Sequence, residues 1–285
     1  MTRNGLTHPR NSDHWSAPSA HGSPVSGTVA VPGSKSLTNR YLVLAALASG
    51  PSVVRKPLHS RDSALMVAAL EQLGAAVTEL PDPGPFGPDL RIDPVSPGAA
   101  LDGPVAVDCG LAGTVMRFVP PVAALCSGTV VLDGDDAARV RPMAPVVEGL
   151  RQLGVRVEDD GRGTLPLCVV GTGTVPGGTV TIDASGSSQF VSALLLAAPR
   201  FESPLVLRHD APGGVPSLPH VEMTLQVLRD AGVSAERAGE REWRVEPGPV
   251  AGLDVTVEPD LSNAGPFLAA AVVTGGTVSI PDWPA

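Results

Sequence analysis

Four times along the chain a small polar cluster is followed by a strongly apolar run. The segments are "GSKSLTNRYLVLAALASG" from Gly33, "LAGTVMRFVPPVAALCSG" from Leu111, "SGSSQFVSALLLAAP" from Ser185 and "DLSNAGPFLAAAVVTGG" from Asp260. Their starts lie 78, 74 and 75 residues apart, the signature of an internal repeat. Each run is too uniformly apolar for a surface helix and predicts one buried on most sides. A second echo runs between them. "ALEQLGAAV", "GLRQLGVRV" and "QVLRDAGVSA" read as the last turns of amphipathic helices, each ended by a glycine (Gly74, Gly154, Gly232) and followed by a strand. Short β-branched stretches fill the intervals, among them "GTVAV", "VAVDC", "GTVVLDG", "GTVTIDA", "PLVLRH" and "VTVEP".

The pattern predicts an α/β fold of repeated β-α-β-β-α-β units related by approximate threefold symmetry. Three complete units run from about Val31 to Pro249, and a fourth opens at Leu253. The three apolar helices form the inside of the lobe and the strands its outside.

That arrangement gives meaning to the polar clusters. Helices set about a pseudo-axis can point their N-termini at one region, and each N-terminus offers unpaired N–H groups and partial positive charge. Ser34, Ser36 and Thr38, then Gly113 and Thr114, then Ser185, Ser187 and Ser188 occupy those first turns. Lys35, Arg40, Arg117 and Arg141 add full charge. The expected ligand carries phosphate or carboxylate groups. Ser and Thr at a helix start are also ordinary caps, but recurrence in three segments, with Lys and Gln interleaved, favours the ligand. A nucleotide P-loop fails, because Ser34 separates Gly33 from Lys35.

Charge and composition narrow the class. The net charge of −9 argues against a nucleic-acid or membrane-surface binder. Cys109, Cys126 and Cys168 lack metal or disulfide spacing and read as reduced thiols of a cytoplasmic protein. No apolar run is long enough to span a bilayer. Residues 1–15 lack the apolar core of a secretion signal and read as a disordered lead.

The stretches "PGSKSLTNRYLVLAAL", "AGTVMRF", "RPMAPVVEGLRQLG", "SSQFVSALLLAAP" and "PDLSNAGPFLAAA" resemble the 5-enolpyruvylshikimate-3-phosphate synthases in order and spacing. The likeness covers nearly all of residues 16–285. It implies an enolpyruvyl transferase-like fold of two lobes, each of three repeats with buried helices. Residues 33–251 would be a complete lobe, and residues 16–32 and 252–285 fragments of a truncated second one.

It also implies an activity. Members transfer the enolpyruvyl group of phosphoenolpyruvate to the 5-hydroxyl of shikimate 3-phosphate and release phosphate, in the shikimate pathway to chorismate and the aromatic amino acids. The reaction passes through a tetrahedral intermediate. Members need no metal or organic cofactor, are usually monomeric, and are the target of glyphosate.

Carried over by matching position, Lys35 contacts both substrates. Ser36, Arg40, Ser187, Ser188, Gln189 and Ser217 hold shikimate 3-phosphate, Gly113 and Arg141 hold phosphoenolpyruvate, and Asp260 is the base for the attacking hydroxyl. Arg117 matches an arginine of either ligand or structural role. The chain departs from the pattern at Leu111, where many members have Asn, and at His220, where many have Tyr. No Lys-Glu-Ser-Asp-Arg-type stretch occurs, so the second acid–base group of the family would lie beyond Ala285 and the chain as given would turn over little or nothing. Two other readings stand: a non-catalytic anion-binding fragment, and the related transferase acting on UDP-N-acetylglucosamine.

Overall fold

The computed structural model describes residues 19–81 and 83–283. The expected disordered lead lies outside them. Two compact units are present, the larger spanning residues 32–260 and the smaller combining 19–31 with 261–283.

Three apolar helices form the heart of the larger unit: α1 (Lys35–Ala46), α3 (Gly113–Ala123) and α6 (Ser188–Ala197). Nine or more residues of each are buried, and the three pack against one another. Three amphipathic helices alternate with them: α2 (Arg61–Gln72), α5 (Ala144–Gln152) and α7 (Leu218–Asp230). The glycine after each adopts positive φ, 103° at Gly74, 81° at Gly154 and 77° at Gly232, the left-handed turn that stops a helix.

Each helix pair carries one four-stranded sheet. β5 (Val105–Asp108), β6 (Ser127–Asp133), β7 (Arg156–Glu158) and β8 (Leu167–Thr172) form a sheet of order β5-β6-β8-β7. β9 (Gly178–Ile182), β10 (Leu205–His209), β11 (Ala235–Gly239) and β12 (Glu242–Val245) repeat it as β9-β10-β12-β11. In both, the first two strands are parallel and the last two form an antiparallel hairpin. A short helix, α4 (Asp136–Arg139), interrupts the loop after β6.

The first repeat has β2 (Ser52–Arg55), β3 (Ala76–Glu79) and β4 (Leu90–Asp93), and it takes its remaining strand from the far end of the unit. β13 (Asp254–Thr256) runs parallel to β2, with Asp254 opposite Val53 and Thr256 opposite Arg55, giving the order β13-β2-β4-β3.

Two sequence expectations change. The order within a repeat is β-α-β-α-β-β, not β-α-β-β-α-β, because both hairpin strands follow the second helix. In the first and third repeats the second hairpin strand carries charge on one face ("LRID", "EREWRV") and lacks the β-branched run that marks the others. The unit also extends beyond Ala251 to Asp260, since β13 belongs to its sheet; "GTVAV", within the 16–32 fragment, supplies β1 (Ser26–Thr28) of the smaller unit.

In the smaller unit, β1 pairs in parallel with β14 (Thr277–Ser279) across α8 (Leu261–Thr274). Of α8 only Ala264 and Ala271 are buried, while Phe267, Leu268, Val272 and Val273 are exposed. Among the described residues no helix is long and apolar enough to cross a membrane.

Candidate functional site

Two buried guanidinium groups lie near the N-terminal turns of the central helices. Arg40, one turn into α1, is 2% exposed. Its Nε donates to Thr224 Oγ1 at 2.7 Å, Nη1 to the Ser36 carbonyl at 2.8 Å, and Nη2 to Ser192 Oγ at 3.2 Å and the His220 carbonyl at 3.0 Å. Arg117, one turn into α3, is 3% exposed. Its Nη1 donates to Gln189 Oε1 at 2.7 Å, and its buried Nε has no hydrogen-bond partner among the described residues. The rings of Phe118 and Phe190 lie 5.4 and 5.2 Å from the respective guanidinium carbons, within cation–π range.

Many other arginines pair with carboxylates, as in Arg55–Asp254, Arg61–Asp135 and Arg139–Asp133. Arg40, Arg117 and Arg141 have no carboxylate partner among the described residues; Arg141 Nη1 donates to the Leu111 carbonyl at 3.0 Å. Burial lowers Arg40 to about 10, and burial with the nearby Arg141 charge lowers Arg117 to about 10. Both remain charged at neutral pH. Buried charge without a counter-ion is costly, and a site that receives an anion has a reason to keep it.

Arg40 opens on a cavity of about 210 Å³ lined also by Ser36, Ser187, Ser188, Gln189, Ser217 and His220. Ser187 caps α6, its Oγ accepting the Gln189 N–H at 3.2 Å, so its own O–H remains a donor. Ser188 is buried at the first position of that helix. Ser217 precedes α7 with φ 53°, a left-handed conformation that is uncommon for serine and often marks a functional turn. Partial desolvation and the Arg40 charge hold the His220 imidazole below its usual range. Every shikimate-3-phosphate candidate except Lys35 and Asp260 lines this one cavity.

The phosphoenolpyruvate candidates meet at Gly113. A Cβ there would fall 2.8 Å from Arg141 Nη2, 3.0 Å from Arg117 Nη1 and 3.0 Å from Gln189 Oε1. Gln189 therefore joins the two groups, and its bond from Arg117 leaves the amide NH₂ as its remaining donor. Leu111 offers only its carbonyl, to Arg141.

Lys35 and Asp260 sit together at the start of α1. Segments 32–34 and 258–260 run side by side, with Ser34 N–H donating to the Glu258 carbonyl and Asp260 N–H to the Pro32 carbonyl, both at 2.8 Å. Gly33 permits this, since a Cβ there would lie 2.3 Å from the Lys56 carbonyl oxygen. Asp260 Oδ2 accepts the Lys35 N–H at 3.4 Å, a carboxylate at a helix N-terminus. Lys35 Nζ reaches Asp62 at 3.3 Å and is half exposed. Neither Lys35 nor Asp260 lines the cavity, though Ser36, which does, follows Lys35 directly.

Sequence reasoning missed Asp62, and it missed Ser192 and Thr224, which hold Arg40. The signal of the last two was faint: a single hydroxyl residue within a helix, apolar around Ser192 and amphipathic around Thr224. Among the described residues no His, Cys, Asp or Glu cluster is arranged to hold a metal ion, and the three cysteines are free.

Comparison with known proteins places the chain in a family. The family model for EPSP synthase (3-phosphoshikimate 1-carboxyvinyltransferase) matches residues 19–285. The chain is 82% identical over 284 residues to the 3-phosphoshikimate 1-carboxyvinyltransferase of Kocuria rhizophila, covering 100% of itself and 64% of that relative. It thus spans about two thirds of that relative's length. Two solved structures of EPSP synthase from Acinetobacter baumannii superpose with TM-scores of 0.74 and 0.75 at 24% identity. They cover 90% and 92% of this chain, which in turn covers 55% and 58% of theirs, and they bear on the fold alone. From residue 19 onward, the chain belongs to the EPSP synthase (3-phosphoshikimate 1-carboxyvinyltransferase) family.

Proposed function

We propose that the larger unit binds shikimate 3-phosphate, and that the protein transfers the enolpyruvyl group of phosphoenolpyruvate to its 5-hydroxyl, releasing phosphate. The observation that carries the reading is Arg40: a buried cation with neutral partners only, beside four hydroxyl side chains in one cavity. A phosphate monoester supplies the missing negative charge, and Ser36, Ser187, Ser188 and Ser217 supply donors suited to phosphate and ring hydroxyls. Gln189 and His220 complete the wall.

Phosphoenolpyruvate is assigned to Gly113 and Arg141, with Arg117 fixing Gln189 between the two ligands. Two anions in neighbouring positions repel, and fixed guanidinium groups in a partly dehydrated site offset that repulsion. Asp260 takes the proton from the 5-hydroxyl as its oxygen bonds to C2 of phosphoenolpyruvate and a general acid protonates C3, which gives the tetrahedral intermediate. Departure of phosphate from C2 and of a proton from the C3 methyl group then restores the double bond. Lys35, adjacent to Asp260, balances the charge of both substrates.

We place the protein in the cytoplasm as a monomer acting on small anions, a reading supported by its free cysteines and its net negative charge.

Calorimetric titration with shikimate 3-phosphate tests the assignment. Saturable heat is expected, with affinity weakened about tenfold by Ser188→Ala, the scale of one hydrogen bond to a charged group. No heat from a chain shown to be folded by its cooperative melting refutes the binding claim. Phosphate release in the presence of both substrates separates the transferase from a fragment that only binds.

A further inference from the structure

β10 ends on a histidine that the site as described does not use. His209 is 4% exposed, and its Nδ1 accepts the Ala184 N–H at 3.1 Å. An accepting Nδ1 carries no proton, so the neutral ring has its proton on Nε2. Among the described residues that Nε2, which is buried, has no hydrogen-bond partner. An orphaned buried donor is unfavourable, and a ring without nitrogens would fill the space at no such cost. The imidazole is therefore kept for what Nδ1 does.

What Nδ1 holds is the start of the turn leading into α6. Ser187 N–H closes that turn on the Ala184 carbonyl at 3.2 Å. Before it, the Asp183 carboxylate accepts both the N–H and the hydroxyl of Ser185, at 2.9 and 2.6 Å. Next to His209, Asp210 N–H donates to the Ile182 carbonyl at 3.1 Å. The turn is thus pinned at Ile182, Asp183 and Ala184, immediately ahead of the two serines that face the cavity. The topologically equivalent strands end on Arg55 and Asp133, whose side chains make ion pairs with Asp254 and Arg139. Only the repeat that presents paired serines ends its second strand with an imidazole.

We infer that His209 is a positioning residue for the anion site: in its Nε2-protonated form it fixes the Ala184 amide, and through it the placement of Ser187 and Ser188. The inference rests on the shikimate-3-phosphate reading of the cavity for its functional consequence, and on the His209–Ala184 bond for its structural one.

The two are tested separately in the full chain. Nitrogen-15 spectra of the His209 ring are expected to show Nδ1 unprotonated and Nε2 protonated. His209→Phe keeps the ring and removes the acceptor; it is expected to speed amide exchange at Ala184 and Ser187 about tenfold and to weaken shikimate 3-phosphate binding by a similar factor, the scale of one lost hydrogen bond. His209→Asn places an amide oxygen near the Nδ1 position and is expected to restore both. Loss of packing alone would not be rescued by Asn.

A proton on Nδ1 in the parent chain overturns the inference, as does a Phe variant with unchanged exchange and affinity. Should the Phe variant fail to fold, the ring tautomer and the Asn variant still decide. If the parent chain binds no shikimate 3-phosphate, the reading of the cavity falls, while the tautomer and exchange results judge the His209 contact alone.

Discussion

Arg40 concentrates the account at the scale of one residue. Four neutral partners satisfy most of its N–H groups, yet none of them neutralises its charge. Replacing buried ion pairs by apolar side chains of similar size is often neutral or stabilising, the damage coming when a partner charge is left behind, and Arg40 has neutral partners only. Arg40→Met is therefore expected to leave the thermal midpoint within a few degrees of the parent while lowering affinity for shikimate 3-phosphate about 10- to 100-fold, as charged hydrogen bonds of about 1.5–3 kcal/mol are worth. Melting curves and calorimetry check the two halves. His220 reports the same charge from across the cavity. Partial desolvation and Arg40 hold its titration below the ordinary histidine value of 6.5. The folded chain thus resists protonation more than the unfolded one, and the contribution of His220 to stability is lost as pH falls through and below that ordinary value. Its ring proton resonance should titrate below 6.5 in the free chain and move upward when an anion neutralises Arg40; a midpoint unaffected by saturating ligand would contradict the proximity of that charge. Arg40 itself was legible in "SKSLTNR", because a cation one turn into an apolar helix is conspicuous. Its holders were not, since Ser192 and Thr224 are ordinary letters until tertiary packing brings α6 and α7 against α1.

Two glycines show how elements divide between holding the fold and holding the ligand. At Gly171, on β8, an added Cβ would lie 2.2 Å from the Cys126 carbonyl oxygen and 2.7 Å from that of Ala123. Backbone at the end of α3 cannot move aside cheaply, so Gly171→Ala is expected to lower the thermal midpoint by about 5 °C or more. At Gly113 the neighbours are the tips of Arg141, Arg117 and Gln189, which can swing away. Gly113→Ala is expected to leave the melting point nearly unchanged and to weaken phosphoenolpyruvate binding at least about tenfold, by displacing the groups that surround it. Equal thermal losses in the two variants would contradict this division. The central helices and their glycine stops were readable because uniform apolarity and positive-φ glycines are local signals. The strand after each of those glycines was readable from the stop itself; the second strand of the hairpin was not, since β4 and β12 are short and alternate charged with apolar residues. β13 was assigned to the wrong unit because a strand's partner, here β2 some two hundred residues earlier in the chain, is not written in its own letters.

For the whole molecule, the threefold repeat explains why one pocket draws on distant stretches of sequence. Equivalent helices about a common axis bring Ser36, Gly113 and Ser187 toward one end of the lobe, although they arise in three different repeats. The molecule is acidic overall, at −9, yet Arg40 and Arg117, its two buried arginines without a carboxylate partner among the described residues, both lie where those helices begin. The spacing of the repeats carried that much in advance; the orphaned His209 nitrogen and the Lys35–Asp62 pair required coordinates, because each depends on side-chain geometry between separate elements. The most direct measurement is the amide and arginine side-chain chemical-shift map of the chain titrated with shikimate 3-phosphate. The account predicts the largest shifts at the amides of Ser36, Ser187, Ser188 and Gln189 and at Arg40 Nε–H, from one saturable event. Shifts that cluster elsewhere, or saturating ligand that leaves those five groups unmoved in a folded chain, would contradict it.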